Sequence, residues 1–237
     1  GARDSKQSDR GFVSFRGAMA LFSTNHLNEN HILNSSHVHI GGYYNFPNLW
    51  DGLADLLTKL RRRNITTSLN PQWDASGLWS GLDSLYCLLE FVIINQDEAF
   101  HLTKHNVLSD ALLFLHNKGL KMAVVTIGSR GAVASIACDE KDSKTLWFWA
   151  KAKKVKPVDT TGGGDAFSGG FLHYWTKTRN VSVALRNGCA LGTAMVTKLG
   201  ASVEVTAQEI QNVLPETCEK GIGLSDSPLK DIHLTNT

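Results

Sequence analysis

This sequence lacks the features that mark membrane, nucleic-acid-binding or secreted proteins. No apolar stretch approaches the roughly 20 consecutive residues that span a bilayer, and the chain begins without the apolar stretch of a signal peptide. The 24 basic and 22 acidic residues leave a formal net charge of +2, with no block of like charges. Such a balance creates no global field for nucleic acid or a membrane surface, so we expect neither as a partner.

Paired cysteines and metal-binding clusters are missing as well. The four cysteines are far apart and form no CxxC motif: they are Cys87, Cys138, Cys189 and Cys218. Scattered thiols are typical of a reduced cytoplasmic protein, and this is the location we expect. His37 and His39 share one face of a predicted strand. Since no third ligand accompanies them, we interpret them as ordinary strand positions rather than as a metal pair.

Strand and helix patterns alternate along the 237 residues. Strands are predicted at 12–15, 37–40, 65–69, 91–94 and 122–127, followed by a hairpin at 132–137 and 145–150. Helices are predicted at 49–60, 110–116, 165–177 and 181–198. Continuous apolar runs such as 91–94 suit strands that are buried on both faces of a parallel sheet. The alternation therefore predicts an α/β fold with a mostly parallel sheet.

A glycine-rich turn precedes one of the predicted helices. Gly162, Gly163 and Gly164 let the backbone bend with its amides pointing inward, and amides at a helix N-terminus bind anions. Asp165 then lies in the first helical turn, where it can accept a proton from a hydroxyl beside a bound phosphate. The alternative is a loose turn in which Asp165 only caps the helix. The turn is neither a dinucleotide fingerprint, because Phe167 replaces the third glycine, nor a Walker loop.

Two further motifs follow predicted strands. Asn95-Gln96-Asp97-Glu98 offers amide and carboxylate oxygens that suit Mg²⁺, often through water. The alternative is a helix cap with an acid in the first turn. The small residues of 126–131 would let a nucleotide approach the backbone, or they form an ordinary strand–turn–strand connection. Because α/β sheets bind ligands at the carboxyl ends of their strands, we expect one shared cleft.

With these motifs in order, the chain resembles the ribokinase-like (PfkB) carbohydrate kinase family. Residues 159–167 resemble the family's second signature, DTxGAGD, with Gly163 where alanine is usual. Asn95 to Glu98 matches its NxxE motif, and 126–131 matches its TxGxxG nucleotide segment. The resemblance extends from about Arg10 to about Val213. It implies a three-layer α/β/α fold with a mostly parallel central sheet and part of a small β lid.

The resemblance also implies roles for the matched residues. Asp165 would be the catalytic base, and Gly162, Gly163 and Gly164 would form the anion hole. Asn95 and Glu98 would organise Mg²⁺ and phosphate through water.

The same resemblance implies a nucleotide site and a cation site. The residues that would line the ATP site are Thr126, Gly128, Gly131, Gly188 and Cys189. In family members activated by a monovalent cation such as K⁺, Asp159, Thr161 and carbonyls near 198–202 would hold the ion.

The resemblance stops short of one part of the family pattern. No segment matches the family's first, glycine-pair signature or the Asp that holds the sugar hydroxyls, and the chain does not begin with Met. We therefore expect a kinase domain over 1–215 that lacks its N-terminal part and its first strands, which exposes a sheet edge. A lid strand is expected at about 10–25 and a polar, frayed C-terminal tail at 216–237.

Taken together, the sequence predicts a carbohydrate kinase: an ATP-dependent phosphotransferase that acts on a hydroxyl of a small sugar or sugar-like substrate. The lid implies a homodimer, since lids of this family often pair between subunits. An alternative from another class is a non-catalytic nucleotide-binding remnant, or an interaction protein without a complete sugar site.

Overall fold

A seven-stranded sheet organises the described part of the molecule. The structure, a computed structural model, describes residues 15–138, 145–225 and 227–233. The strands are β1 (His37–Gly41), β2 (Thr66–Asn70), β3 (Phe91–Asn95), β4 (Met122–Thr126), β5 (Ala132–Ala137), β6 (Thr145–Ala150) and β7 (Glu219–Ile222). Their order in the sheet is the same as their order in the chain.

The direction of the strands changes part-way across the sheet. β1 to β4 pair in parallel, with registers such as His39 opposite Ser68 and Asn95 opposite Thr126. β5, β6 and β7 then pair antiparallel to their neighbours. The carboxyl ends of the four parallel strands thus lie along one edge of the sheet, where α/β proteins place their ligands. Among the described residues, the outer edge of β1 has no partner strand.

Seven helices belong to the described part of the chain. They are α1 (Glu29–Leu33), α2 (Leu53–Arg62), α3 (Gln96–Thr103), α4 (Leu108–Asn117), α5 (Gly163–Thr178), α6 (Val181–Met195) and α7 (Ala207–Val213). None of them is long and apolar enough to cross a membrane.

Two hydrophobic cores cover the two faces of the sheet, because alternate residues of each strand point to opposite sides. Val92 and Ile94 of β3 join the core that holds α2, α3 and α4. Phe91 and Ile93 join the core that holds α5 and α6. The protein is therefore a three-layer α/β/α structure, as the sequence predicts.

The strands predicted from residue 37 onward and the long helices are found close to their expected positions. The strand predicted at 12–15 lies outside the described residues except for Phe15. The helix predicted at 49–60 begins later, at Leu53, because Gly52 precedes it with a left-handed φ of +81° and Pro47 opens a separate 3₁₀ turn. Helices α1, α3 and α7 and strand β7 were not among the predicted elements.

The segment after Pro215 is not a frayed tail in its described part. Strand β7 pairs with β6, and Leu224, Leu229 and Ile232 are each at most 2% exposed. The backbone of Leu108 also donates a hydrogen bond to the Ile232 carbonyl at 2.9 Å. The segment is polar on average and Ile222 is 64% exposed, but Leu224, Leu229 and Ile232 face the core.

The lid strand expected at about 10–25 is not found in its described part. Residues 10–14 lie outside the described residues, and Gly17–Ala20 and Thr24–His26 form 3₁₀ turns. Gly17 has a φ of +50°, which is incompatible with a strand. No described strand lies beside this segment to accept its hydrogen bonds.

Candidate active site

A cleft of about 280 Å³ opens where the carboxyl ends of β2, β3 and β4 meet the N-terminus of α5. Its lining combines polar and apolar residues from these elements, from the segment after β2 and from α3: Asn70, Gln72, Trp73, Ile93, Ile94, Asn95, Glu98, Thr126, Gly164, Asp165 and Ser168. The three motifs singled out in the sequence therefore contribute to one cavity.

Asp165 lies in the first turn of α5 and faces this cleft. Its side chain is exposed and makes no hydrogen bond or ion pair with the described residues. The backbone N–H groups of Gly164 and Asp165 likewise have no acceptor in the described part of the chain. A helix N-terminus with free amides attracts an anion, so a proton acceptor and an anion-binding group stand side by side.

The three glycines of the turn have different surroundings. Gly162 precedes α5 with a left-handed φ of +78°, and a Cβ there would lie 2.6 Å from the Ala201 carbonyl oxygen. A Cβ on Gly163 would lie 2.8 Å from Cγ1 of Val196 on the following helix. A Cβ on Gly164 would meet nothing within 4 Å, because that position faces the open cleft.

Asn95 and Glu98 form a reciprocal cap at the start of α3. The Asn95 side chain accepts a hydrogen bond from the Glu98 amide at 2.8 Å, and Glu98 Oε2 accepts one from the Asn95 amide at 2.9 Å. This is the helix cap that the sequence offers as an alternative, but both residues also line the cleft. Glu98 Oε1 takes no part in the cap.

The carboxyl of Glu98 is buried, and a bound cation would favour its ionised form. Its side chain is 7% exposed. Burial raises the pKa of Glu98 to about 7; the charges of Asp97 and Asp165 act in the same direction, and the Asn95 hydrogen bond opposes them. Two carboxylates beside one cleft repel each other, and a divalent cation between them would remove that repulsion. The oxygen donors of Asn95 and Glu98 are of the kind that Mg²⁺ prefers.

Asp159 fixes the backbone that leads into the glycine turn. Its Oδ1 accepts a hydrogen bond from the Thr161 amide at 2.9 Å, and its Oδ2 accepts one from the Gly200 amide at 3.1 Å. The carboxylate thereby ties the turn to the loop after α6. The predicted cation residues Asp159 and Thr161 are thus brought next to the segment 198–202.

The turn after β4 contains the other predicted nucleotide residues. Thr126 lines the cleft, and Gly128–Arg130 forms a 3₁₀ turn that the Gly131 carbonyl closes by accepting from the Ile127 amide at 2.9 Å. Gly131 has a φ of +100°, and a Cβ there would collide with the Ala150 carbonyl oxygen. Gly128 and Gly131 lie in the turn after Thr126 and do not belong to the cleft lining.

A family model described as pfkB family carbohydrate kinase matches residues 3–208. The chain belongs to the pfkB family. Similar curated proteins include a cytidine kinase from Thermococcus kodakarensis, 31% identical over 61% of this chain and 51% of the relative, and a ribokinase from Haemophilus influenzae, 29% identical over 54% and 41%. The chain therefore spans about half the length of the curated relatives it matches.

Solved pfkB-type structures share the fold. A protein from E. coli described as a ribokinase II, in complex with ATP and Mg²⁺, covers 76% of this chain and 58% of its own, with a TM-score of 0.65 and 23% identity. A Vibrio cholerae fructokinase with bound fructose, ADP and calcium covers 75% and 60%, with a TM-score of 0.64 and 20% identity. These likenesses establish the three-layer architecture.

Gly188 and Cys189 lie away from the pfkB cleft. Gly188 packs on Phe167, to whose ring a Cβ would come within 2.9 Å, and Cys189 is 4% exposed with its thiol directed at the Ala150 carbonyl oxygen, 3.4 Å away. Burial raises the pKa of the Cys189 thiol to about 12. Both residues serve the packing of α6 against α5 and the sheet, and their place beside the nucleotide stays a prediction.

Two kinds of cleft residue were missed as site candidates. Ser168, one turn after Gly164, donates its hydroxyl to the Gly164 carbonyl oxygen at 2.9 Å, and its i+4 spacing could have revealed it. Gln72 and Trp73 follow β2 directly and line the cleft. Gln72 has a left-handed φ of +56°, a feature that sequence patterns do not disclose.

His37 and His39 form a hydrogen-bonded chain with Thr66 and Ser68. His37 Nδ1 lies 2.8 Å from Thr66 Oγ1, and Ser68 Oγ lies 2.8 Å from His37 Nε2 and 2.7 Å from His39 Nδ1. Burial is the main cause that lowers the pKa of each histidine to about 4. The two rings are therefore neutral near pH 7 and hold the edge strand β1 to β2.

Proposed function

We propose that this chain transfers the γ-phosphoryl group of ATP to a hydroxyl of a small sugar or sugar-like molecule, with Asp165 as the general base. One observation carries the proposal. The unpaired Asp165 carboxylate and the free amides at the start of α5 face the same cleft as Asn95, Glu98 and Thr126. A base, an anion hole and a cation-binding group are the parts that phosphoryl transfer requires.

Asp165 would act on the acceptor hydroxyl, and the glycine turn would act on the transferring phosphoryl group. As the acceptor oxygen forms its bond to the γ-phosphorus, Asp165 takes the hydroxyl proton. The bond from the γ-phosphorus to the bridging oxygen breaks, and ADP leaves with that oxygen. In the turn formed by Gly162, Gly163 and Gly164, the Gly163 amide donates to the Thr160 carbonyl oxygen at 3.3 Å. The free amides of Gly164 and Asp165 at the N-terminus of α5 would therefore stabilise the negative charge on the transferring group.

ATP and Mg²⁺ are the cofactors that the site fits. The E. coli ribokinase II described above holds both. In this chain Asn95 and Glu98 would hold Mg²⁺ through water, and the ion would neutralise charge on the β- and γ-phosphates. Thr126, Gly128 and Gly131 would contact the nucleotide. We include in the same proposal that a monovalent cation such as K⁺ binds beside Asp159 and Thr161.

The test compares two first-turn aspartates. Asp165→Asn keeps the size of the side chain and removes the base, so we expect kcat to fall by about 10²–10⁴-fold with an unchanged melting temperature. Asp110→Asn, in the exposed first turn of α4, is the matched control and should behave as wild type. ATP turnover would be followed with D-ribose, D-fructose and cytidine. Activity that survives Asp165→Asn would exclude Asp165 as the base.

A second candidate function follows from the limited span of the chain. Because it covers about half of its curated relatives, a nucleotide-binding chain without catalysis is the alternative. ATP binding with no turnover on any of the three acceptors would favour that alternative.

A further inference from the structure

One large apolar side chain stands half exposed at the proposed active site. Trp73 lines the cleft together with Asp165 and Glu98, and 54% of its surface is accessible. A tryptophan normally buries most of its ring. Its exposure at this point leaves a flat apolar surface open toward the place where substrates would bind.

The loop that bears Trp73 is rigidly built. Asp74 is 5% exposed, and its carboxylate accepts hydrogen bonds from the Ser76 amide at 2.9 Å, the Ser76 hydroxyl at 2.7 Å and the Trp79 amide at 2.7 Å. Trp79 is fixed in a left-handed conformation with φ of +50°. A buried carboxylate with three donors restricts the shape of the loop, which lowers the ordering cost of ligand binding.

Two further rings support the indole from behind. Trp79 stacks in parallel on His101 of α3, with ring centroids 5.0 Å apart and planes 6° apart. Trp73 stands perpendicular to both, 4.9 Å from Trp79 and 5.1 Å from His101. These contacts restrict rotation of the Trp73 ring and leave its cleft side free.

Polar groups adjoin this apolar surface. Asn70 and Gln72 line the cleft beside Trp73. The Gln72 side chain is positioned by a hydrogen bond from Asn45 Nδ2 at 2.9 Å, and its backbone amide donates to Asn70 Oδ1 at 2.8 Å. The left-handed backbone of Gln72 is a costly conformation that functional sites often retain. An apolar surface with polar groups at its rim suits a ring that bears hydroxyl groups.

The order of the strands indicates that the acceptor, rather than the nucleotide, binds beside Trp73. Along the carboxyl edge of the sheet, Trp73 follows β2, Glu98 follows β3 and Thr126 ends β4. The proposed nucleotide residues lie on the β4 side, and the acceptor must reach the phosphoryl group from the opposite side for an in-line transfer. That opposite side is the β2 side.

We propose that Trp73 is the stacking platform for the ring of the phosphoryl acceptor, a molecule with a flat apolar ring face and polar groups at its rim. The inference rests on the proposed function for the identity of the acceptor. Two acceptor sources share this chemistry: the C–H face of a free sugar, and the base of a nucleoside. Stacking on aromatic side chains suits both.

Direct binding measurements test the platform without requiring catalysis. Cytidine, D-ribose and D-fructose would be titrated into the 237-residue chain and followed by calorimetry and tryptophan fluorescence. We expect Trp73→Ala to weaken binding of the preferred acceptor about ten-fold or more, and Trp73→Phe to retain most of it. ATP binding should not change in either variant. Preference for cytidine would identify a base on the platform, and preference for ribose or fructose would identify a sugar face.

The matched control is Leu78→Ala, which shortens another exposed apolar residue of the same loop, 72% exposed and outside the cleft lining. It should bind acceptor as wild type does. Equal acceptor binding in wild type and Trp73→Ala would overturn the proposal, as would a wild-type chain that binds none of the three acceptors. Trp73-dependent binding without turnover would leave the platform standing and refute only the kinase activity.

Discussion

Gly162, Gly163 and Gly164 are consecutive, but a side chain would meet different surroundings at each position. Gly162 combines a left-handed backbone with a collision at the Ala201 carbonyl. Gly163 makes room for Val196. Gly164 has open space and needs to be small only if a phosphate approaches its amide. Substitutions along the turn can therefore separate folding from function.

We expect Gly164→Ala to lower phosphotransfer strongly without lowering the melting temperature. The added methyl group would project into the cleft, where the anion must approach the amides, whereas alanine is favoured over glycine in a helix by up to about 1 kcal/mol. The assay is kcat together with thermal unfolding. Gly169→Ala is the control, because Gly169 is exposed on the same helix with nothing within 4 Å of its would-be Cβ and lies outside the cleft lining.

Gly162→Ala should have the opposite profile, with a clear loss of thermal stability, because the clash is with backbone that cannot rotate away. If Gly164→Ala retained full activity, the amides of this turn would not be the anion hole.

At the residue scale, the sequence predicts one shared cleft for its three motifs, and a residue of each motif lines the same cavity. Asn95, Glu98, Thr126 and Asp165 reach one cavity because each follows a strand end or starts a helix at the same edge. The burial of Cys189 was not predictable, because a motif's position along a helix does not reveal which face is buried. The half-exposed position of Trp73 was not predictable either, since it depends on the conformation of a loop.

Among the elements, β1 and β2 are joined by side chains as well as by their backbone ladder. Thr66 donates its hydroxyl to the Ser36 carbonyl oxygen, so neutral His37 must donate from Nδ1 to Thr66 and accept at Nε2. Ser68 therefore donates to His37 and accepts from His39. Protonating His37 at Nε2 would place two donors against the Ser68 hydroxyl, and protonating either ring would bring a charge into a buried pair.

We expect stability to fall as the pH drops from about 6.5 toward about 4. The folded-state pKa of both histidines lies near 4, below the ordinary 6.5, so the unfolded chain binds more protons in this window and is favoured. The stability that the neutral histidines contribute is fully present above pH 6.5 and is lost as the pH falls toward 4. Melting temperatures between pH 4 and 8 would measure it.

The matched variant is His37→Gln combined with His39→Gln, which keeps hydrogen-bonding side chains but cannot titrate. Glu98, whose pKa is raised, and His116, whose pKa is lowered by burial, titrate in both proteins. The difference between the two pH profiles therefore isolates the pair. Parallel profiles would contradict the assignment of neutral buried rings.

Elements with continuous apolar runs were predicted well, because full burial leaves a plain signal in β3 and β4. Short capped helices were missed. Helix α7 begins with a capping box between Thr206 and Glu209, a spacing that signals a helix start, and α3 was read as a motif with a cap as its alternative. The antiparallel strand β7 contains no large apolar residue except Ile222, so only its pairing partner reveals it.

For the whole molecule, the last described segment is part of the fold rather than an appendage. We expect a chain that ends at Pro215 to melt at a markedly lower temperature or not to fold, because it loses β7 and the buried Leu224, Leu229 and Ile232. Burial of each such side chain contributes about 1.5–3 kcal/mol. Circular dichroism and thermal unfolding would measure the loss.

A milder variant tests the same point in the complete chain. Leu229→Ala, at 0% exposure, should cost about 2–5 kcal/mol. Leu199→Ala, at 78% exposure, should cost almost nothing. Full stability of the shortened chain would show that the kinase core ends at Pro215 after all.

The strands β1 to β7 occupy the sheet in the same order as they occur in the chain. No strand has to be inserted between two that are already paired, so each hairpin or crossover can dock on the last one as it leaves the ribosome. Neighbouring pairings also keep loop closures short, which favours fast folding. Growth by successive docking leaves the rim at β1 available for additional strands from any longer polypeptide, without disturbing those already in place.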